Sequence, residues 1–128
     1  MLDNALIEAV VPVSSLESAV GFYEKTLGLR LLGRLEELPR NREAHFGAGE
    51  GSLSVYESVG AGKSRATVAA FVVDDLEAAV AGLRERGVVF EEYDLPDLKT
   101  VNGIASVGDV RAAWFRDPDG NILAVGTR

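Results

Sequence analysis

Hydrophobic and polar positions change their spacing along the chain in the same order twice. Ala5 to Val13 is nearly continuous in apolar residues apart from Glu8, and Leu16, Ala19, Val20, Tyr23 and Leu27 then recur at helical spacing, with Gly28 beyond. Residues 66–73 form a second apolar run, after which Leu76, Ala79, Val80 and Leu83 fall at i, i+3, i+4 and i+7. A short apolar run predicts a buried strand, and a 3.6-residue stripe predicts an amphipathic helix. Asp74 or Asp75 supplies an N-cap for the second helix. Arg84 and Arg86 suit the negative end of its dipole, and Gly87 suits a left-handed residue past its end.

The recurrence extends to residue identity. Val13, Leu16, Glu17, Ala19 and Val20 reappear sixty positions on as Val73, Leu76, Glu77, Ala79 and Val80. At an offset of about seventy, Leu53-Ser54-Val55 lines up with Leu123-Ala124-Val125, and His45-Phe46 meets Trp114-Phe115 one position out of step. An internal repeat fixes architecture. Two similar modules, about 1–58 and 65–128, are joined by a glycine-containing linker at 59–64 within one domain.

In the first module, the strand 5–13 and the helix 16–27 are followed by strands at 29–38 and 42–46, joined by a turn at Pro39-Arg40-Asn41. A glycine-rich connection, 47–51, leads to a strand at 52–58. This glycine run lacks a Gly-Lys-Ser/Thr ending and joins strand to strand, so it is no phosphate loop. The second module predicts strand 66–73, helix 75–86, strand 88–92, an acidic loop 91–97 and a turn at Asn102-Gly103. Strand 110–116 then passes through the turn signature Asp117-Pro118-Asp119-Gly120 into strand 121–127. The expected fold is α+β: two βαβββ modules forming an incomplete barrel, helices on its outer face and a cleft on its inner face.

Composition narrows the chemistry. The chain of 128 residues has no cysteine, which removes disulfides, thiolate metal sites and a thiol nucleophile. Thirteen basic against twenty acidic residues give a net charge of −7, which argues against a nucleic-acid partner. The same charge is compatible with a neutral or cationic small ligand. No apolar run approaches the roughly 18–20 residues of a membrane span. Met1-Leu2-Asp3-Asn4 has no basic character of the secretory kind, so a cytoplasmic protein is expected.

The chain resembles the vicinal oxygen chelate superfamily, the glyoxalase, bleomycin-resistance and extradiol-dioxygenase group, over essentially its full length. The resemblance is carried by Leu16-Glu17 through Phe22-Tyr23 and Leu27-Gly28-Leu29, by Val73-Asp74-Asp75-Leu76-Glu77, and by Phe115-Arg116-Asp117-Pro118-Asp119-Gly120-Asn121. Enzymes of that family hold a divalent metal in the cleft, on the first and last strands of each module. The resemblance places these ligand positions at Glu8, Ser54, Val68 and Ala124. Zinc, nickel or iron needs at least three nitrogen or oxygen donors at about 2.0–2.2 Å. One carboxylate beside a valine and an alanine does not supply them, so no metal and no other cofactor is expected. Glu57 faces away from Ser54 and Tyr56 by strand alternation and would need a one-residue slip to reach a metal. The sole histidine, His45, reads as a partly buried strand residue.

The same parity turns Glu8, Val10, Pro12, Val68, Ala70 and Val72 to the cleft and packs Val11, Val13, Phe71 and Val73 under the helices. The expected ligand-binding set is Glu8, Ser54, Tyr56, Val68, Ala70, Trp114 and Ala124, in a largely apolar pocket of the usual small-ligand kind. Glu8 breaks a local rule. An acid in an apolar strand is either partnered by hydrogen bonds or desolvated, and in the latter case it is the candidate general base. The opposing reading has Glu8 at a frayed strand start, seeing solvent or an Arg or Lys. Lys99, Asn102 and Arg111 are further candidate contacts, flanking a loop that borders the cleft in the family.

Three functions remain open. The first is a metal-free protein that binds a small organic molecule, by sequestration as in the bleomycin-resistance branch. The second is a lyase, isomerase or dioxygenase of the glyoxalase type, using a divalent metal or Glu8 as a base. The third is an interaction module with a vestigial cleft. The resemblance also implies a homodimer.

Overall fold

The computed structural model describes residues 1–35 and 42–128. The chain divides into two compact units, Met1–Lys63 and Ser64–Arg128. In the first unit the order is β1 (Glu8–Val13), α1 (Leu16–Val20) continuing into a π-helical turn (Gly21–Thr26), β2 (Arg30–Leu35), β3 (Glu43–Ala48) and β4 (Gly51–Glu57). These strands form an open mixed sheet, β1-β4-β3-β2, in which β1 runs parallel to β4. In the second unit, β5 (Thr67–Val72) and α2 (Leu76–Glu85) precede β6 (Asp94–Leu95), β7 (Leu98–Val101), β8 (Ile104–Val107), β9 (Val110–Arg116) and β10 (Ile122–Gly126). The sheet order is β5-β10-β9-β8-β7-β6, with β5 parallel to β10. Each unit is thus a βα element whose strand returns beside the last strand of its own module, and the fold is α+β with two open mixed sheets.

Alternation along β1 buries Val11 and Val13 completely and leaves Val10 exposed. The first unit's core adds Leu16, Ala19, Val20 and Tyr23 from the helix to Ala44, Phe46, Leu53 and Val55 from the sheet. The second repeats the plan with Leu76 and Val80 against Ala113, Phe115, Leu123 and Val125. Burying a leucine-sized side chain contributes roughly 1.5–3 kcal/mol, so this apolar layer is the main stabilising term in each unit. Both helices are capped by a side chain: Ser15 Oγ accepts from Ser18 N (3.3 Å) and Asp75 Oδ1 from Ala78 N (3.0 Å). Gly28 and Gly87 follow the helices with φ of 76° and 92°, in the left-handed region.

Several expectations need correction. The first helix is α-helical only to Val20 and then widens, with Leu27 N–H donating to Phe22 O, a five-residue step. The apolar stripe could not show this, because a single wider turn leaves Leu16 and Tyr23 both buried. The first strand begins at Glu8 rather than Ala5. Strand β3 runs on to Ala48, so only Gly49-Glu50 remains as a two-residue hairpin turn, with Gly49 at φ 57°. The expected strand 88–92 is reduced to one bridge, Phe90 to Phe115. The expected loop 91–97 contains a short strand, β6, and the unassigned stretch after it forms β7 and β8, a hairpin that turns at the expected Asn102-Gly103. The remainder of the second expected strand and the turn at Pro39-Arg40-Asn41 lie outside the described residues.

Candidate functional site

Strand register sets the exposed side chains of the first sheet in cross-strand rows. Val10 lies beside Ser54 and Ser54 beside His45; Glu8 lies beside Ser52; Pro12 lies beside Tyr56 and Tyr56 beside Glu43. Glu8, Ser54 and Tyr56 therefore share one face, with Ser54 buried and Tyr56 exposed. The face also carries two residues that the sequence reading passed over, Ser52 and Glu43. The period of two was the signal for Ser52, which precedes the chosen Ser54 by two positions; Glu43 precedes His45, which was read only as a partly buried strand residue.

Glu8 is not enclosed by apolar groups. Ser52 Oγ donates to Glu8 Oε2 at 3.1 Å, and Glu8 Oε1 lies 3.8 Å from His45 Nδ1. His45 Nε2 is 3.1 Å from Glu43 Oε1. The side chains of Glu8, His45 and Glu43 are 32–38% exposed. The two carboxylates that flank the imidazole present negative charge to a cationic ligand. The two ring nitrogens are turned to different carboxylates, so the three groups do not converge on one point.

Glu57 belongs to the opposite face. Its Oε2 accepts from the backbone N–H of Leu16 at 2.9 Å, and Arg42 donates to both carboxylate oxygens at 3.2–3.3 Å. It closes the N-terminus of α1, where an anion is favoured, and no register slip brings it round. Among the described residues, no three His, Asp or Glu side chains gather so as to hold a metal ion. Of the four positions that the resemblance assigns to metal ligands, only Glu8 carries a carboxylate; Ser54 offers a hydroxyl, and Val68 and Ala124 offer nothing. This donor set does not fit zinc, nickel or iron.

In the second unit the rows place Ala70 beside Ala124 and Ala124 beside Trp114. Their face is the one away from α2, because Ala113, Phe115 and Leu123 alternate to the other side and are buried. Trp114 is half-buried, with the Tyr93 ring meeting it edge-on at 5.8 Å. Val68 sits at a break in the β5–β10 register, where Thr67 and Ala69 are paired and Val68 is passed over. The structure thus groups Ala70, Ala124 and Trp114 into one apolar strip and leaves Val68 beside its end.

The His45/Trp114 mismatch has a simple origin. The turn inside the Ala48–Gly51 pair has two residues, whereas Asp117, whose N–H donates to Asn121 O, encloses three. One added residue shifts β9 against β10 without changing which row faces out. The Asp117 carboxylate organises this turn, accepting from Asp119 N (2.9 Å), Asn121 N (2.9 Å) and Asn121 Nδ2 (2.8 Å).

A charge pair also repeats between the modules. Glu17 and Glu77, each in a first helical turn, bind Arg42 and Arg111 respectively, two arginines 69 positions apart. Arg111 holds the Glu77 carboxyl down to about 2, mainly through its hydrogen bonds, and the pair raises Arg111 in turn. Glu17 is lowered first by its own backbone hydrogen bond and then by Arg42. The offset matches that of His45 and Trp114, which was the signal available in the sequence. Lys99, Asn102 and Arg111 do come together, but they line a groove on the α2 side of the second sheet, away from Ala70 and Trp114.

A glyoxalase/bleomycin-resistance protein from Streptomyces sp. CB03234 is 27% identical, with a TM-score of 0.70 over 96% of this chain and 100% of that one. TnmS3, an antibiotic-binding protein from the same source, is 26% identical, with a TM-score of 0.72 over 99% and 98% of the two chains. A glyoxalase-family protein from Enterococcus faecalis shares the fold at 20% identity, with a TM-score of 0.74 over 98% and 99%. No curated protein matches the sequence. The sequence model of the glyoxalase/bleomycin resistance protein/dioxygenase superfamily matches residues 5–125, nearly the whole chain, and the protein belongs to that superfamily.

Proposed function

We propose that this protein binds a small organic molecule without a resident metal, with the open sheet face of the first unit (Glu8, Ser54 and Tyr56) and that of the second (Ala70, Trp114 and Ala124) each a candidate surface in its own right. The observation that carries the reading is the donor set: the fold is kept while three of the four metal-ligand positions hold Ser54, Val68 and Ala124. Sequestration needs no reacting group, only apolar surface and a few polar anchors. The similarity to an antibiotic-binding protein supports it. Glu8 and Glu43 favour a basic ligand over an acidic one.

Two measurements test this. Elemental analysis after incubation with nickel, zinc, manganese and ferrous iron is expected to find no stoichiometric metal; one metal per chain overturns the metal-free reading. Titration with bleomycin and a panel of basic and neutral antibiotics, followed through the single tryptophan, Trp114, is expected to give saturable binding for at least one basic member. A flat response across the panel overturns sequestration.

A second reading is favoured by the Glu8–His45–Glu43 arrangement: a metal-independent lyase or isomerase with Glu8 as base. Under it, Glu8→Gln abolishes turnover and leaves the fold intact, whereas sequestration tolerates the loss of one acid. Homodimerisation, suggested by the family, is checked by light scattering of the purified chain.

A further inference from the structure

The groove of the second unit, about 550 Å3 in volume, is lined by Glu77, Val80, Ala81 and Arg84 of α2 and by residues of β7, β8 and β9. Its volume lies within the roughly 300–1,000 Å3 of small-ligand pockets. Register divides its sheet wall into two rows. Val101 pairs with Ile104 and Ile104 with Ala113, which makes an apolar row; Ser106 pairs with Arg111, and one step back along β7 brings Lys99 alongside Ser106. Side chains two apart on a strand share a face, so both rows look toward α2.

The groove's charges are unequal in what already holds them. Arg111 forms a two-point ion pair with Glu77, and the two cancel. Arg84 donates to Asn102 O at 2.7 Å and lies over the Phe90 ring at 5.4 Å, contacts that fix it without neutralising it. The Lys99 side chain has no ion pair or hydrogen bond among the described residues, although Asp94 stands opposite it on β6. The lining therefore carries two uncancelled positive charges beside an apolar floor, in a chain whose net charge is −7. From Glu77 to Arg84 the helix wall spans about 10 Å.

We propose that this groove is a second binding site, for a small amphipathic carboxylate whose chain lies along Val80, Ala81, Val101 and Ile104 and whose carboxylate is held by Lys99. A cationic ligand is repelled here, which sets the site apart from the acidic face around Glu8. A carboxylate also suits the Ser106 hydroxyl, a donor beside Lys99 that a neutral alkyl chain would leave unused.

Octanoate is the probe, with octylammonium as the charge-reversed control, each titrated into the intact protein and followed by backbone amide NMR and calorimetry. Octanoate is expected to bind saturably and to shift amides of α2, β7 and β8, while octylammonium leaves them in place. Lys99→Gln weakens octanoate about fivefold, as one partly exposed charge pair warrants, with an unchanged melting temperature. Ile104→Trp, which fills the floor, abolishes the shifts. The proposal is overturned if octanoate at millimolar concentration leaves these amides unmoved. It is equally overturned if octylammonium binds as well, or if Lys99→Gln binds octanoate as the parent does. Shifts centred on Ala70 and Trp114 instead would assign the carboxylate to the other face of the sheet.

Discussion

Replacing Asp117 by alanine tests whether the turn between β9 and β10 is held by its own carboxylate. Asp117 is 5% exposed and accepts hydrogen bonds from Asp119 N and from the buried N–H and Nδ2 of Asn121, itself 1% exposed. Alanine leaves both buried donors facing a methyl group, and each unsatisfied donor costs about 1–3 kcal/mol. The third donor, the N–H of Asp119, is only part-buried and can turn to water. The expected loss is about 2–6 kcal/mol, a large share of the roughly 5–15 kcal/mol that folded chains possess. With an unfolding entropy of about 2.1 cal/mol/K per residue, a chain of 128 residues should melt roughly 7–22 °C lower. Asp117→Asn keeps an acceptor for the backbone donors but sets an amide against Asn121 Nδ2, and should fall between alanine and the parent. Asp109→Ala, in the exposed β8–β9 turn, is the control and should stay within about 0.5 kcal/mol. Differential scanning calorimetry reads all three. A fall of less than about 3 °C for Asp117→Ala would show that the carboxylate is not what holds the turn.

Acid unfolding should depend on the Glu77–Arg111 pair. Because the folded Glu77 carboxyl is held near 2, below its ordinary 4.5, its contribution is complete above the ordinary value and is lost as pH falls from there toward 2. Urea melts of Glu77→Gln should lie below the parent at neutral pH and converge with it as pH falls through that window, giving a shallower acid decline; an identical acid limb counts against the pair. Gly126→Ala should cost about 1–3 kcal/mol, since an added Cβ would lie 2.7 Å from Arg111 O and 3.2 Å from Ala112 Cβ; chemical denaturation measures it, and a neutral result refutes the close strand approach. Asp75→Ala should lower stability by about 0.5–2 kcal/mol through the lost cap of α2, visible in the same assay. Leu76→Ala, at a fully buried position, should cost about 2–5 kcal/mol; a smaller loss would mean that the site collapses around the missing atoms.

What the sequence revealed was what spacing can encode. The repeat gave the two modules, and strand alternation placed Val11 and Val13 inward and Val10 outward. The helix ends were written in Asp75, Gly28 and Gly87, whereas Ser15, which caps α1, was not singled out. The turn at Asn102-Gly103 was legible but the strands it joins were not: Lys99, Thr100 and Val101 have no clear period, and the hydroxyl of the buried Thr100 meets Glu92 and the backbone of Tyr93. Nor was the grouping of Glu8 with His45 and Glu43. Those three lie on two strands that never touch directly, since β4 runs between β1 and β3. Only the register of both pairings, set by turn length, puts them together. Lys99, Asn102 and Arg111 were recognised as a set, but a face cannot be assigned to a strand that is not foreseen.

The widened turn at Gly21–Thr26 bears on how the two modules came to differ. Past the second helix, Val88 N–H closes onto Leu83 O, five residues back; past the first, Leu29 N–H closes onto Tyr23 O, six residues back. The leucines that open the helices are sixty positions apart, yet the glycines that end them are fifty-nine apart. The first helix therefore houses one residue more than its counterpart before its closing glycine. A helix that gains a residue at its end would rotate everything downstream by about 100°. A π turn takes up the gain locally, so an insertion of this kind can pass through a folded lineage without disturbing the sheet behind it.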